Sequence, residues 1–291
     1  MPKIVTEKLG RVSRVVGGVP DSPSGPFVGT MPSMWIDTHC HLTYPGLIER
    51  IPEVLANAQR LNVTQSLTIG THPQDHEAVL TLLQQHPTLR AALGIHPCHA
   101  HEVEAGYLPR LRALLGARGP ILAVGEIGLD YYHDASTKTI QETMLRAQLD
   151  LAVELDLPVI LHMREAHADG VAILRSYPQL RYVVHCFTAG PAECQAWLDL
   201  GAYIGFTGVV TYKNANLVRD SARLVPRDRI LVETDAPYLS PEPVRRIKIN
   251  EPGHTAYVGK YLVQWLNWPE TDLAQATTAN ALRLFGPGLW P

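Results

Sequence analysis

Six residues of this chain carry nitrogen or oxygen donors suited to a divalent metal, and all of them follow short apolar runs. Trp35 to Leu42 reads WIDTHCHL and contains His39 and His41; the runs ILAVGE, PVILH, YVVH and ILVETD close on Glu126, His162, His185 and Asp235. Residues two apart on an extended backbone point to one side, so His39 and His41 can present two imidazoles over one point. Imidazole and carboxylate are the usual ligands of catalytic zinc-type sites. Any one of these residues alone has a plainer reading as a loop cap or a helix start. Six of them at the same end of successive strands point to a metal centre. One four-coordinate ion that keeps a place for water needs only three protein donors, so six donors suit two ions. Glu126 is the natural bridge, with His39, His41 and Asp235 completing the first ion and His162 and His185 the second. Ions roughly 3.5–4 Å apart would clamp the attacking and leaving oxygens of a phosphoryl displacement. The donors do not separate Zn, Mg and Mn: imidazoles favour Zn or Mn, whereas phosphoryl chemistry often runs on Mg. Strand alternation turns Cys40 and Cys186 away from the pocket, where they are expected to pack. His76, His86 and His101 lie in polar helical segments and are expected to be solvated.

The elements that must position these donors follow from hydrophobic period. Short β-branched runs appear at Trp35–Thr38, Gln65–Ile69, Ala91–Ile95, Ile121–Gly125, Pro158–His162, Tyr182–His185, Ala202–Phe206 and Ile230–Glu233. Between them lie amphipathic patterns at Ile51–Leu61, Asp75–His86, Leu108–Leu115, Ile140–Leu155, His167–Ser176, Ala192–Leu200 and Asn216–Leu224, with Thr255–Trp265 and Asp272–Phe285 at the end. Eight strands alternating with helices predict an α/β TIM (β/α)8 barrel over residues 34–291. In such barrels the loops after the strands converge on one mouth, so all six donors should face one pocket.

The remaining composition bounds the answer. The chain has 291 residues, 18% of them charged and 46% hydrophobic, which is ordinary for a globular protein. A formal net charge of -3 argues against a broad nucleic-acid-coating surface. Four cysteines show no CxxC pair and no disulfide framework, and the start has no continuous apolar signal region, so the cytoplasm is the expected compartment. Residues 1–33 include the Gly-, Pro- and Ser-rich stretch GGVPDSPSGPFVGTMP and are expected to form a flexible extension. Met34 could serve as a functional start.

The motifs DTHCHL at 37–42, GIHP at 94–97, VGEIGLDYY at 124–132, LPVILHMREA at 157–166, VHCFTAG at 184–190 and ETDAPYLSP at 233–241 together resemble the TatD family of metal-dependent hydrolases and deoxyribonucleases. The resemblance runs in family order over nearly all of residues 34–291. It implies a phosphodiesterase acting on DNA with bound divalent metal, and the ligand set already named. It also assigns His96 and Glu233 to the active site. His96, at the end of the third strand, can donate to a phosphate oxygen. Glu233, two residues before Asp235, is open between a proton acceptor, a partner of a ligand and a structural part. Family members carry a basic stretch of the form RGKxNEP after the last strand; this chain has Arg246-Ile247-Lys248-Ile249-Asn250-Glu251-Pro252, with Ile247 in the glycine's place. Arg246, Lys248 and, after the fifth strand, Arg164 are the candidates for substrate phosphate.

The leading expectation is therefore a metal-dependent phosphodiesterase on DNA, acting at strand ends or on short single strands, because a barrel mouth is concave and no long basic stripe is present. A metallohydrolase of amide or ester bonds on a small molecule is the alternative, since the same activated water attacks a carbonyl. A binding protein with a decayed site is a third reading, which the intact donor set opposes.

Overall fold

The computed structural model describes residues 34–289 apart from 105 and 118; the extension expected over residues 1–33 lies outside the described residues. Eight strands form one parallel sheet in chain order: β1 (Trp35–Cys40), β2 (Val63–Gly70), β3 (Arg90–Leu93), β4 (Ile121–Asp130), β5 (Val159–Arg164), β6 (Tyr182–Val184), β7 (Tyr203–Phe206) and β8 (Ile230–Val232). Helices α1 (Ile51–Arg60), α2 (Pro73–Gln85), α3 (Tyr107–Gly116), α4 (Tyr131–Asp134), α5 (Lys138–Leu155), α6 (His167–Leu174), α7 (Pro191–Leu198) and α8 (Asn216–Leu224) fill the crossovers, and α9 (Thr255–Leu266) and α10 (Glu270–Phe285) follow. This is the TIM barrel that the alternation predicts. No helix among the described residues is long and apolar enough to cross a membrane.

Two hydrophobic layers hold it together. Ile36, Leu67, Ile69, Ala92, Ile160, Val183 and Leu231 form a cluster with Ala281, Leu284 and Phe285 of α10 and with Leu289. Most of the other apolar residues of strands and helices make a second, larger cluster that includes Trp35, Leu93, Leu149 and Trp197. The seam between β8 and β1 is closed just beyond the strand end. Cys40 bridges to Ala236, His41 donates its N–H to Ala236 at 2.7 Å, and Asp235 donates its own to His39 at 2.9 Å. Asp37 accepts the Thr234 N–H on Oδ1 at 2.8 Å and pairs with the Thr234 hydroxyl through Oδ2 at 2.6 Å. Burial pushes the Asp37 carboxyl up to about 8 in spite of these bonds.

β4 differs most from expectation: it runs on to Asp130 instead of ending at Gly125. Between the pairs Val124–Val159 and Ile127–Leu161 it places two residues, Gly125 and Glu126, against the single Ile160 of β5, a bulge. Glycine is required in this bulge and just past it. A Cβ on Gly125 would lie 2.6 Å from the Ile160 Cβ, and one on Gly128, whose φ is +153°, would lie 1.9 Å from the His162 carbonyl oxygen. Gly128→Ala should lower stability by about 3 kcal/mol in urea unfolding, the upper end of overpacking costs.

His167 opens α6 and accepts the Trp197 indole N–H on Nδ1 at 3.0 Å. Burial pushes its imidazole down to about 4. A lowered histidine favours the neutral folded state, so its contribution is complete above about pH 6.5 and is lost as pH falls toward 4. Wild type should lose on the order of 2 kcal/mol at this site between pH 7 and 5, and His167→Gln should lose correspondingly less when both are unfolded in urea at the two pH values.

Candidate metal centre

Glu126 sits at the centre of the mouth, 4% exposed, and its two oxygens face different groups. Oε2 lies 3.4 Å from His39 Nε2, and Oε1 lies 2.8 Å from His162 Nδ1, 3.0 Å from His185 Nε2 and 3.7 Å from His96 Nε2. On the first side, His39 Nε2 and His41 Nε2 approach to 3.3 Å, and Asp235 Oδ1 is 3.7 Å from the one and 3.4 Å from the other. His39 stacks on His185 with ring centroids 3.7 Å apart. The bulge in β4 aims Glu126; β1 has a register break of its own between Asp37 and Cys40, where His39 lies.

Outer partners decide which imidazole nitrogen is available. Asp130 Oδ2 lies 2.9 Å from His162 Nε2, so with a metal bound the hydrogen would stay on Nε2 and the Nδ1 that faces Glu126 at 2.8 Å would present its lone pair. Glu233 Oε1 accepts from His185 Nδ1 at 3.2 Å, which leaves Nε2 for the centre. These are the carboxylate–histidine contacts that orient metal-binding imidazoles. His96 is different. Its Nδ1 accepts the Cys98 N–H at 3.1 Å, so Nε2 carries the hydrogen and acts as a donor. Burial and the neighbouring His162 push His96 down to about 3, which keeps it neutral.

The charges show what the centre lacks. Burial alone would raise Glu126, yet His185, His96 and His39, with the His162 hydrogen bond, hold it well below the usual carboxylate range. Asp235 is likewise lowered against its burial by His41, His185 and His39, while His185 is raised, against its own burial, by Glu126 and Glu233. Among the described residues, Glu126, Asp130, Glu233 and Asp235 pair with histidines and with no Lys or Arg. His39 Nδ1 is buried without a partner. A mouth with ionised carboxylates, close imidazole nitrogens and, among the described residues, no Lys or Arg paired with those carboxylates fits divalent ions.

The structure brings His39, His41, Glu126, His162, His185 and Asp235 together, with His96 beside them. A cavity of about 950 Å³ opens over them, and Arg164 lies in its wall. Glu233 is fully buried behind His185: Oε1 also accepts the Cys186 N–H at 2.6 Å and Oε2 accepts the Thr38 hydroxyl at 3.0 Å. Both carboxylate oxygens of Glu233 are thus engaged, Oε1 with His185 and the Cys186 N–H and Oε2 with the Thr38 hydroxyl. Arg246 and Lys248 are exposed and are not brought into the cavity wall. Two expectations need correction. Cys186 lines the cavity, because β6 ends at Val184 and Cys186 takes φ +45°, which breaks the strand alternation. His76 is buried instead of solvated: it stands one helical face with Val79 and Leu83, and its Nε2 contacts the Gly94 carbonyl at 2.8 Å. Asp130 is a site residue that the reading of the sequence missed. Once β4 is seen to continue past Glu126, Asp130 stands opposite Arg164 of β5, and that alternation was the available signal. A further group, His72, His99 and Glu102, gathers at the rim, but His72 Nδ1 already accepts the Gln74 N–H as the cap of α2.

The family model described as TatD related DNase matches residues 36–286. The chain belongs to this TatD-related family. Among its relatives, the uncharacterized metal-dependent hydrolase YcfH of Escherichia coli strain K12 is 38% identical over 255 residues, covering 86% of this chain and 95% of the relative. The 3'-5' ssDNA/RNA exonuclease TatD of Citrobacter rodentium is 35% identical over 258 residues, covering 86% and 97%. The crystal structure of YJJV, a TatD homolog from Escherichia coli K12, superposes with a TM-score of 0.82 at 33% identity and covers 86% of this chain and 97% of that one. This TatD-family chain is thus a metal-dependent hydrolase by membership. Asp130→Asn should weaken metal retention about 10- to 100-fold in titration calorimetry, with an unchanged far-UV spectrum, because it removes the carboxylate charge behind His162 without removing a donor.

Proposed function

We propose that this TatD-family hydrolase is a two-ion phosphodiesterase that works on the ends of single-stranded nucleic acid. The observation that carries the reading is the division of Glu126: Oε2 faces His39, with His41 and Asp235 completing that group, and Oε1 faces His162 and His185. Five residues and a shared carboxylate would hold two divalent ions, Zn, Mg or Mn. Ions so held would supply a water acidified toward neutral pH and would offset charge on the phosphoryl oxygens.

The protein's own groups have separate parts. Asp235 stays ionised and is the proton acceptor for the attacking water. His96, neutral and with its hydrogen on Nε2, donates to a phosphate oxygen. Arg164 pairs with none of the described carboxylates and lies over the Tyr132 ring at 4.0 Å, so its charge is available to a backbone phosphate. The concave mouth admits a strand end or a short single strand more readily than an unbroken duplex. The name of the Citrobacter relative supports the same substrate class.

Metal-stripped protein should leave end-labelled single-stranded DNA intact and should recover end-directed cleavage when Mg, Mn or Zn is restored. Glu126→Gln should lose at least about 10²-fold in kcat with unchanged far-UV signal, a loss comparable to deleting a group that stabilises developing charge. Bound metal with no cleavage of any oligonucleotide would overturn the nuclease reading.

A further inference from the structure

The wall of the cavity carries two aromatic residues that neither the fold nor the metal-type donors require. Among the described residues nine large hydrophobic side chains are exposed, and two of them, Tyr44 at 39% and Tyr238 at 50%, line the cavity. They come from different connections, after β1 and after β8, and meet at the barrel seam with ring centroids 5.6 Å apart and planes at 71°. An edge-to-face pair leaves ring face uncovered. Tyr238 also stands 6.2 Å from the His41 ring, so the pair borders the first donor group.

Both rings are mounted on pinned backbone. Tyr44 donates its N–H to His41 at 3.1 Å and accepts those of Leu47 and Ile48 at 3.0 and 3.1 Å. Tyr238 donates to Asp235 at 2.9 Å and accepts from the Asn250 amide at 2.7 Å. Each ring therefore sits three residues from a donor of the centre and is tied to it by a backbone bond. The opposite side, at β5, carries the Arg164 guanidinium, which pairs with no carboxylate among the described residues. An aromatic surface on one side, a cation on the other and the donor cluster between them match a nucleotide: a flat base, a phosphodiester and a further phosphate.

We infer that Tyr44 and Tyr238 form a stacking subsite for the terminal nucleobase, placing the first phosphodiester over Glu126 and the next phosphate toward Arg164. The inference rests on the nucleic-acid reading above and adds a direction across the mouth. Stacking reads a π-face and not an edge, so the subsite should accept any base.

The test compares the metal-loaded enzyme on a short oligothymidylate with the same strand carrying an abasic terminal residue, for wild type, Tyr44→Ala, Tyr238→Ala and Tyr238→Phe. Tyr238→Ala should raise KM for the normal strand about tenfold, within the range for one stacked base, with kcat changed less than about twofold, and Tyr44→Ala should act in the same sense. Tyr238→Phe should keep the wild-type KM. On the abasic strand wild type should already show the raised KM, and the alanine variants should add nothing. Equal losses on both strands would assign the rings a structural part and overturn the subsite, as would an unchanged KM. A wild type that binds metal but cleaves neither strand sinks the nucleic-acid reading and the subsite with it.

Discussion

Glu126 is a buried carboxylate that pairs with no Lys or Arg among the described residues, and much of the local construction answers that one fact. An uncompensated carboxylate away from water is costly by several kcal/mol or more. Here its two oxygens are surrounded by four imidazoles, and three of those imidazoles are themselves fixed from behind. Asp130 holds His162, Glu233 holds His185, and the Cys98 N–H holds His96. Each contact removes a tautomeric choice, so the lone pairs of His162 and His185 and the N–H of His96 are aimed before any ligand arrives. The bulge that presents Glu126 depends in turn on Gly125 and Gly128, which let β4 lie against β5 where a Cβ would not fit.

The outer groups are anchored to helices by polar contacts that look like ordinary packing in sequence. α5 carries Gln141 and Gln148, seven residues apart on one face. Gln148 bonds both the N–H and the carbonyl of Ile95, next to His96, at 2.7 and 3.1 Å; Gln141 does the same for Asp130 at 2.8 and 3.0 Å. One buried helix face thereby sets the height of two site residues at once. On the other side of the mouth Asn250 donates to the Thr234 and Tyr238 carbonyls and receives the His254 imidazole at 2.8 Å. The stretch Arg246–Pro252 is thus a staple for the loop after β8, with its buried Asn250 inside and its cations Arg246 and Lys248 outside. Ile247 replaces glycine at an exposed position, 44% open, which explains why the departure leaves the staple intact.

Period and strand-end chemistry made the barrel and its six donors legible, because both are local properties: alternation of two or 3.6 residues, and polar residues that interrupt apolar runs. What stayed hidden depended on long-range geometry. Asp130 was lost because a bulge does not announce its length in a single strand, so β4 was cut short at Gly125. Cys186 was assigned to the wrong side because alternation fails once φ turns positive. The part played by Glu233 needed the partners of both oxygens, which lie 48 and 195 residues away in sequence. Arg246 and Lys248 looked suited to phosphate by charge alone, and charge carries no information on whether a loop turns inward.

Backbone strain separates the two ends of the barrel in the same way. Seven non-glycine residues of the described chain have positive φ. Asn62, Asp156 and Asn267 follow helices, where Asn and Asp tolerate the left-handed region and close the last turn. Cys186, Asp235 and Leu239 all line the cavity, and neither Cys nor Leu favours this region without support. Such conformations persist only where the surroundings over-determine them, at roughly 1–3 kcal/mol each. The surroundings at the mouth are hydrogen-bonded and polar, whereas Ala281, Leu284, Phe285 and Leu289 pack with the inner residues of the strands and contribute cohesion without touching the centre. The fold can therefore hold a strained, charged mouth because the hydrophobic free energy that stabilises the barrel is generated elsewhere, which is the division expected when reactive groups sit only at the C-terminal ends of the strands.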